Sequence, residues 1–176
     1  MLHALEYLHG RKIVHRDLKL GNLFLNESME IKVGDFGLAT KLEYPGEKRK
    51  TVCGTPNYIA PEILESKGHS CEVDIWSFGV ICYTLAYGRP PFESKDVKET
   101  YKKIKSGTFS FPDTVSLSNN FKQLVSSCLQ KEPHKRPTSC ELKKFEFFIG
   151  VTLSRQPSIS FRGQVSVSVN KEERDL

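Results

Sequence analysis

No stretch of this chain approaches the roughly 18 consecutive apolar residues that a membrane span requires. The N-terminus has neither the basic region nor the long apolar stretch of a secretory signal. No segment interleaves basic residues with aromatics along a helix, so neither a nucleic-acid nor a membrane partner is expected. The net charge of +5 reads instead as solubility. Cysteines are few and odd in number: five, at 53, 71, 82, 128 and 140, none in a C-x-x-C pair. That pattern fits free thiols in a reducing compartment better than disulfides or zinc. The cytosol or nucleus is the expected location, and no internal repeat is evident.

What is present suffices for one domain. At 176 residues and 38% hydrophobic, the chain can bury a core of its own. Leu2, Leu5 and Leu8 recur at near-helical spacing until Gly10 stops them, so Met1 opens directly inside a helix. Leu23-Phe24-Leu25 and Ile31-Lys32-Val33 flank the turn-like Asn26-Glu27-Ser28 and predict a small hairpin. Residues 38 to 60 show no periodicity and carry Pro45, Gly46, Gly54 and Pro56, the pattern of a long functional loop. Residues 73 to 87 are apolar nearly all round, including Leu85, and predict a buried helix. Val97, Tyr101 and Ile104 mark one amphipathic helix; Phe121, Leu124, Val125, Cys128 and Leu129 mark another. Thr138 to Glu141 has capping-box spacing and opens a last helix. After Phe148, over residues 149 to 176, the character changes, and Ser154 to Ser168 is serine-rich. Val165, Val167 and Val169 alternate there without a partner strand, so this stretch reads as a tail or linker.

The chemistry concentrates in His15-Arg16-Asp17-Leu18-Lys19-Leu20-Gly21-Asn22 and Asp35-Phe36-Gly37. Asp17 is a proton acceptor, and Lys19 lies two residues beyond it. Asn22 and Asp35 offer the oxygen ligands that magnesium prefers. Each of these alone is an ordinary turn residue. Together, at these intervals and with a hairpin between them, they form the constellation of phosphoryl transfer, where catalysis is positioning plus charge neutralisation.

These motifs resemble the protein-kinase family, and the polo-like kinases in particular. Leu20-Gly21 within the catalytic-loop motif is polo-like, as are Thr51 to Tyr58, Gly68 to Ser70 running into Glu72 to Ser77, and Pro90-Pro91-Phe92. Ala60-Pro61-Glu62 resembles the end of the activation segment. The resemblance covers residues 1 to about 148. It implies a chain that is mainly α with a small β-hairpin: the C-terminal lobe of the protein-kinase (α+β) fold, with the N-terminal lobe missing. By position it implies Asp17 as catalytic base. Lys19 would contact phosphate and mark serine/threonine specificity, and Asn22 and Asp35 would hold Mg2+. Phe24 would form the floor of the adenine pocket of ATP, though it also reads as an ordinary hairpin aromatic. Thr55 would position substrate. Glu62 would pair with Arg136, and Asp74 would brace the catalytic loop. Thr51 matches the site of an upstream activating kinase, with Arg16 as the partner of its phosphate.

Glu47 to Lys50 reads as a solvated loop, or as basic charge attracting protein substrates with acidic residues near the target hydroxyl. Cys53 lacks a thiolate-stabilising neighbour and reads as inert. Arg155 to Ser158 has the form of a basophilic-kinase site, a pattern that chance also supplies. No G-x-G-x-x-G occurs, and Lys12 is the only lysine before Asp17. The expectation is therefore a fragment of a larger mitotic or cell-cycle kinase, at the centrosome or spindle by resemblance. The alternative is a truncated lobe that binds substrates or regulators without catalysis. An exposed apolar patch at Phe24 and Phe36 is expected in either case.

Overall fold

The computed structural model describes residues 1–44 and 46–149. Pro45 and residues 150–176 lie outside the described residues, and with them the expectations for Arg155 to Ser158 and for the tail valines. Helix α1 spans Leu2–Gly10. A two-residue strand, β1 (Ile13–Val14), follows and leads into the His15 to Asn22 loop. A 3-10 turn at Leu20–Asn22 feeds the hairpin of β2 (Leu23–Leu25) and β3 (Ile31–Val33). The hairpin is antiparallel, with Leu23 opposite Val33, Phe24 opposite Lys32 and Leu25 opposite Ile31. Asn26 closes its turn by accepting the Glu30 N–H at 2.8 Å on its side-chain oxygen.

Beyond residue 60 the named elements are helical: α2 (Pro61–Leu64), α3 (Glu72–Tyr87), α4 (Val97–Ser106), α5 (Asn119–Cys128) and α6 (Ser139–Leu142). The ends follow from local chemistry. Asp96, Ser118 and Thr138 each accept a backbone N–H at a helix start, and Thr138 with Glu141 forms the full capping box. Gly88 and Gly107 end α3 and α4 in the left-handed region, φ 73° and 70°.

Helix α3 is the axis of the core. On one side Trp76 stacks on Phe92 at 5.3 Å, with Val80, Ile104, Val125 and Leu129 around them. On the other side Ile75, Phe78 and Ile81 meet Leu5, Leu18 and Leu124. Burial on both faces explains why its sequence lacks a polar stripe. Leu85 departs from that expectation at 69% exposed. It lies on a groove of about 540 Å³ shared with Met1, Leu2, Ile31 and Phe148. All five cysteines are free, and burial pushes the Cys82 thiol up to about 12.

Residues 38 to 60 are more ordered than the sequence suggests. Thr40–Lys41 forms strand β4, antiparallel to β1 with Val14 opposite Thr40. Arg49 forms an isolated antiparallel bridge with His69. Two-residue strands are too short to show an alternation, and their partners lie far away in sequence, which is why the pattern was silent. The solvated reading of Glu47 to Lys50 also fails for two of its residues. Glu47 is buried, accepts the Glu43 N–H and pairs with Arg49 at 3.1 Å, while Lys48 and Lys50 are exposed.

Candidate active site

The site begins where β1 ends. Arg16 takes a positive φ of 69°, uncommon for a side chain of its size, and turns the chain sharply before Asp17. Asp74 holds that turn. Its carboxylate, fully buried in the first turn of α3, accepts the His15 N–H and the Arg16 N–H, both at 2.9 Å. His9 of α1 adds its Nε2 at 3.0 Å to the same oxygen that takes the His15 N–H. A carboxylate at a helix N-terminus is favoured by the helix dipole, so the brace sits where its charge is best tolerated.

Asp17 is 8% exposed and meets three donors. Thr55 Oγ1 donates to Oδ1 at 2.7 Å, Lys19 Nζ to Oδ2 at 2.7 Å, and Asn22 Nδ2 to Oδ2 at 3.4 Å. Burial alone would raise the Asp17 pKa. The hydrogen bonds from Lys19, Thr55 and Asn22 and the Lys19 charge outweigh it and hold the carboxyl below its ordinary range. Asp17 is therefore ionised at neutral pH and able to accept a proton. Lys19 also donates to Thr55 Oγ1 at 3.1 Å, so Asp17, Lys19 and Thr55 form a closed triangle. Gly54 permits the approach of this segment. Its φ is 117°, and a Cβ there would lie 3.1 Å from the Arg16 carbonyl oxygen.

The hairpin brings Asn22 and Asp35 to one end. Its ladder extends one pair further, the Gly34 N–H donating to the Asn22 carbonyl at 2.9 Å, which leaves Asp35 next in the chain. Asp35 is exposed, at φ 56°, and accepts the Gly37 N–H at 3.2 Å. Asn22 is buried and its amide Nδ2 donates to the Asp17 carbonyl at 2.9 Å, so its carbonyl oxygen is the atom left to offer a ligand. An amide oxygen and an exposed carboxylate make an all-oxygen donor pair suited to magnesium rather than a softer metal. His15 ties the two loops together. Its Nε2 donates to the Gly34 carbonyl at 3.0 Å, its Nδ1 accepts the Asp17 N–H at 3.4 Å, and its ring lies 4.9 Å from that of Phe36.

Phe24 is 55% exposed and lies over Gly34, where a Cβ would come within 2.7 Å of its ring. Phe36 is 47% exposed, as expected of the apolar patch. Away from this centre, Arg136 donates to both oxygens of Glu62 at 2.7 and 2.8 Å, with both side chains buried. The structure does not join Arg16 to Thr51. Arg16 Nε donates to the Leu38 carbonyl at 2.6 Å, and Thr51 is exposed.

The roles of three histidines went unread in the sequence: His9 on Asp74, His15 between the loops, and His69 opposite Arg49. His15 was visible as the head of its motif. Nothing in spacing or hydropathy marks the other two, because their partners lie 65 and 20 residues away.

Comparison with known proteins places these features in a family. Residues 1–148 match the protein kinase domain model. The chain is 55% identical over 178 residues to the probable serine/threonine-protein kinase CCRP1 of Zea mays, covering 95% of this chain and 28% of that protein. It is 56% identical over 154 residues to the serine/threonine-protein kinase PLK1 of Xenopus tropicalis, covering 87% and 25%. It is 54% identical over 150 residues to the serine/threonine-protein kinase polo of Drosophila melanogaster, covering 85% and 26%. The resemblance to polo-like kinases read from the motifs therefore holds over most of the chain. The chain spans about a quarter of the length of the curated relatives it matches. No helix among the described residues is long and apolar enough to cross a membrane.

Proposed function

The chain belongs to the protein kinase family, and from that premise we propose that residues 1–148 are the C-terminal lobe of a polo-like serine/threonine kinase domain. The observation that carries this reading is the triangle of Asp17, Lys19 and Thr55 beside the Asn22 and Asp35 oxygens. Mg-ATP, when bound, supplies the phosphoryl group and the metal charge that eases its departure.

The chain's own residues then have distinct tasks. Asp17 accepts the proton of the attacking serine or threonine hydroxyl, whose oxygen bonds to the γ-phosphorus as ADP leaves. Lys19, already on Asp17, reaches the transferring phosphate. Asn22 and Asp35 would hold Mg2+, and Phe24 would line the adenine site. Thr55 fixes the substrate segment against Asp17. Glu62, Arg136 and Asp74 keep the frame in place and touch no substrate. Thr51 is the target of an upstream kinase, with Arg16 drawn to the phosphate it receives.

The exposed rings of Phe24 and Phe36 support a second lobe as the missing cover, since they leave apolar surface in water. Residues 149 to 176 are then a linker. Protein substrates with acidic residues, a role in cell division, and a place in cytoplasm or nucleus, at centrosome or spindle, follow from the resemblance.

The test uses the complete polypeptide carrying these residues, captured with an antibody against residues 38 to 60. Incubated with Mg-ATP, it should label serine and threonine peptides and leave tyrosine peptides unlabelled. Labelling of tyrosine alone, or of no peptide, would overturn the reading.

A further inference from the structure

We propose that the cavity between α1, the start of α3 and residues 136 to 140 binds a small organic cation, an amidinium or guanidinium on an apolar body, and that His9 carries its presence to the loop of Asp17.

The cavity holds about 500 Å³, within the range of small-molecule sites. Gly10, Ile75 and Pro137 give it apolar wall, and Glu6, His9 and Cys140 give it polar groups. The His9 side chain is only 10% exposed. Its Nε2 is committed to Asp74 at 3.0 Å, and its Nδ1 has no hydrogen-bond partner among the described residues. With a proton on Nε2 for the carboxylate, a neutral ring presents Nδ1 as an acceptor. An acceptor buried to that degree without a donor is costly, and a ligand N–H supplies the donor.

The charges around the cavity select a cation. Glu6 lies three residues before His9, so the two side chains are neighbours on α1 with Cβ atoms about 5–6 Å apart. The two nitrogens of one amidinium can bridge that spacing. Lys143 donates to Glu6 Oε2 at 2.7 Å and holds the carboxyl below its ordinary range. Glu6 Oε1 takes only the Cys140 thiol, a weak donor, at 3.6 Å. Glu72 borders the cavity, and its carboxylate is in no ion pair among the described residues. Arg136 on the wall is already neutralised by Glu62. The Cys71 thiol, also on the wall, feels the balance. Burial first, then the Asp74 charge and less strongly Glu72, push it up to about 11 against a hydrogen bond with Ser70.

The link to the catalytic loop is short. His9 Nε2 shares Asp74 Oδ2 with the His15 N–H, and Asp74 Oδ1 holds the Arg16 N–H. A donor on Nδ1 fixes the imidazole from both sides, and with it the carboxylate that braces the turn before Asp17.

The experiment titrates benzamidine into the complete polypeptide carrying these residues. It follows alkylation of Cys140 by iodoacetamide, read by peptide mass spectrometry, with Cys53 as the internal control. Cys140 is exposed on the cavity and should be protected saturably, while Cys53, in the activation loop, should react at its usual rate. Neutral benzamide and anionic benzoate should protect at least about tenfold more weakly, the effect of losing one charge-assisted hydrogen bond. Hydrogen exchange at the His15 and Arg16 amides should slow with the same midpoint. A Cβ at Gly10 meets nothing within 4 Å, so Gly10→Leu fits the fold and fills the cavity. It should abolish both responses. Unchanged Cys140 alkylation, equal protection by benzamide, slowing of Cys53 along with Cys140, or protection retained in Gly10→Leu would overturn the site. Protection of Cys140 with unaltered exchange at His15 and Arg16 would overturn the link to the loop. None of these readouts requires phosphate transfer, so a failure here is distinct from a failure of the kinase reading.

Discussion

Thr55 and Asp17, 38 residues apart in the chain, are joined by a 2.7 Å hydrogen bond from hydroxyl to carboxylate. That bond places the end of one loop on the base offered by another. It is also part of what keeps Asp17 ionised, since it opposes the upward push of burial. The sign follows from linkage. A carboxyl whose folded pKa is depressed stabilises the fold above its unfolded pKa of about 3.9, and that contribution is lost as pH falls through the folded value.

Thr55→Val should therefore raise the Asp17 pKa toward the ordinary carboxylate range. A 13C titration of the Asp17 carboxyl reads this directly, and the acid limb of stability against pH should move up with it. An unchanged midpoint would mean that Lys19 and Asn22 alone set the charge state.

Asp74→Asn should loosen the catalytic loop. The amide keeps the shape but has one acceptor oxygen where the carboxylate used two. Hydrogen bonds to a charged group contribute about 1.5–3 kcal/mol, and a loss of that order is expected in denaturant unfolding. Amide exchange at His15 and Arg16 should quicken. Protection equal to wild type would show that the strained turn holds itself.

Arg136→Ala leaves the Glu62 carboxylate buried without its partner. Breaking one side of a buried pair costs about 3–5 kcal/mol, enough to unfold a marginal domain. Glu62→Ala with Arg136→Ala should cost less than the two single losses added together, a coupling that a double-mutant cycle measures.

The parts of the fold legible in the sequence are those with local causes. The capping box at Thr138, the hairpin around Asn26 and the nearly all-apolar run of α3 each declare themselves within one element. The parts that escaped depend on distant partners. Strand β4 exists because Val14 lies opposite Thr40, and Glu47 is buried because it finds the Glu43 N–H and Arg49. Leu85 is exposed, on the groove it shares with Met1, Leu2, Ile31 and Phe148, which no period in the sequence records. The site was legible in the same uneven way. The intervals from Asp17 to Asn22 and Asp35 picked out residues that the hairpin carries to one end. That Lys19 and Thr55 close on one another was visible only in three dimensions.

Transfer of the ATP γ-phosphate by the complete polypeptide carrying these residues, with Asp17 intact and with Asp17→Asn, bears most directly on the central assignment. The substitution keeps shape and removes the base. The kcat for a serine or threonine peptide should fall by about 10²–10⁴-fold, the range for a positioned general base, with the folded structure retained by circular dichroism. A kcat within a few-fold of wild type would contradict the assignment of Asp17 as the proton acceptor. It would also leave the apolar face at Phe24 and Phe36 as the surface of a binding module rather than half of an enzyme.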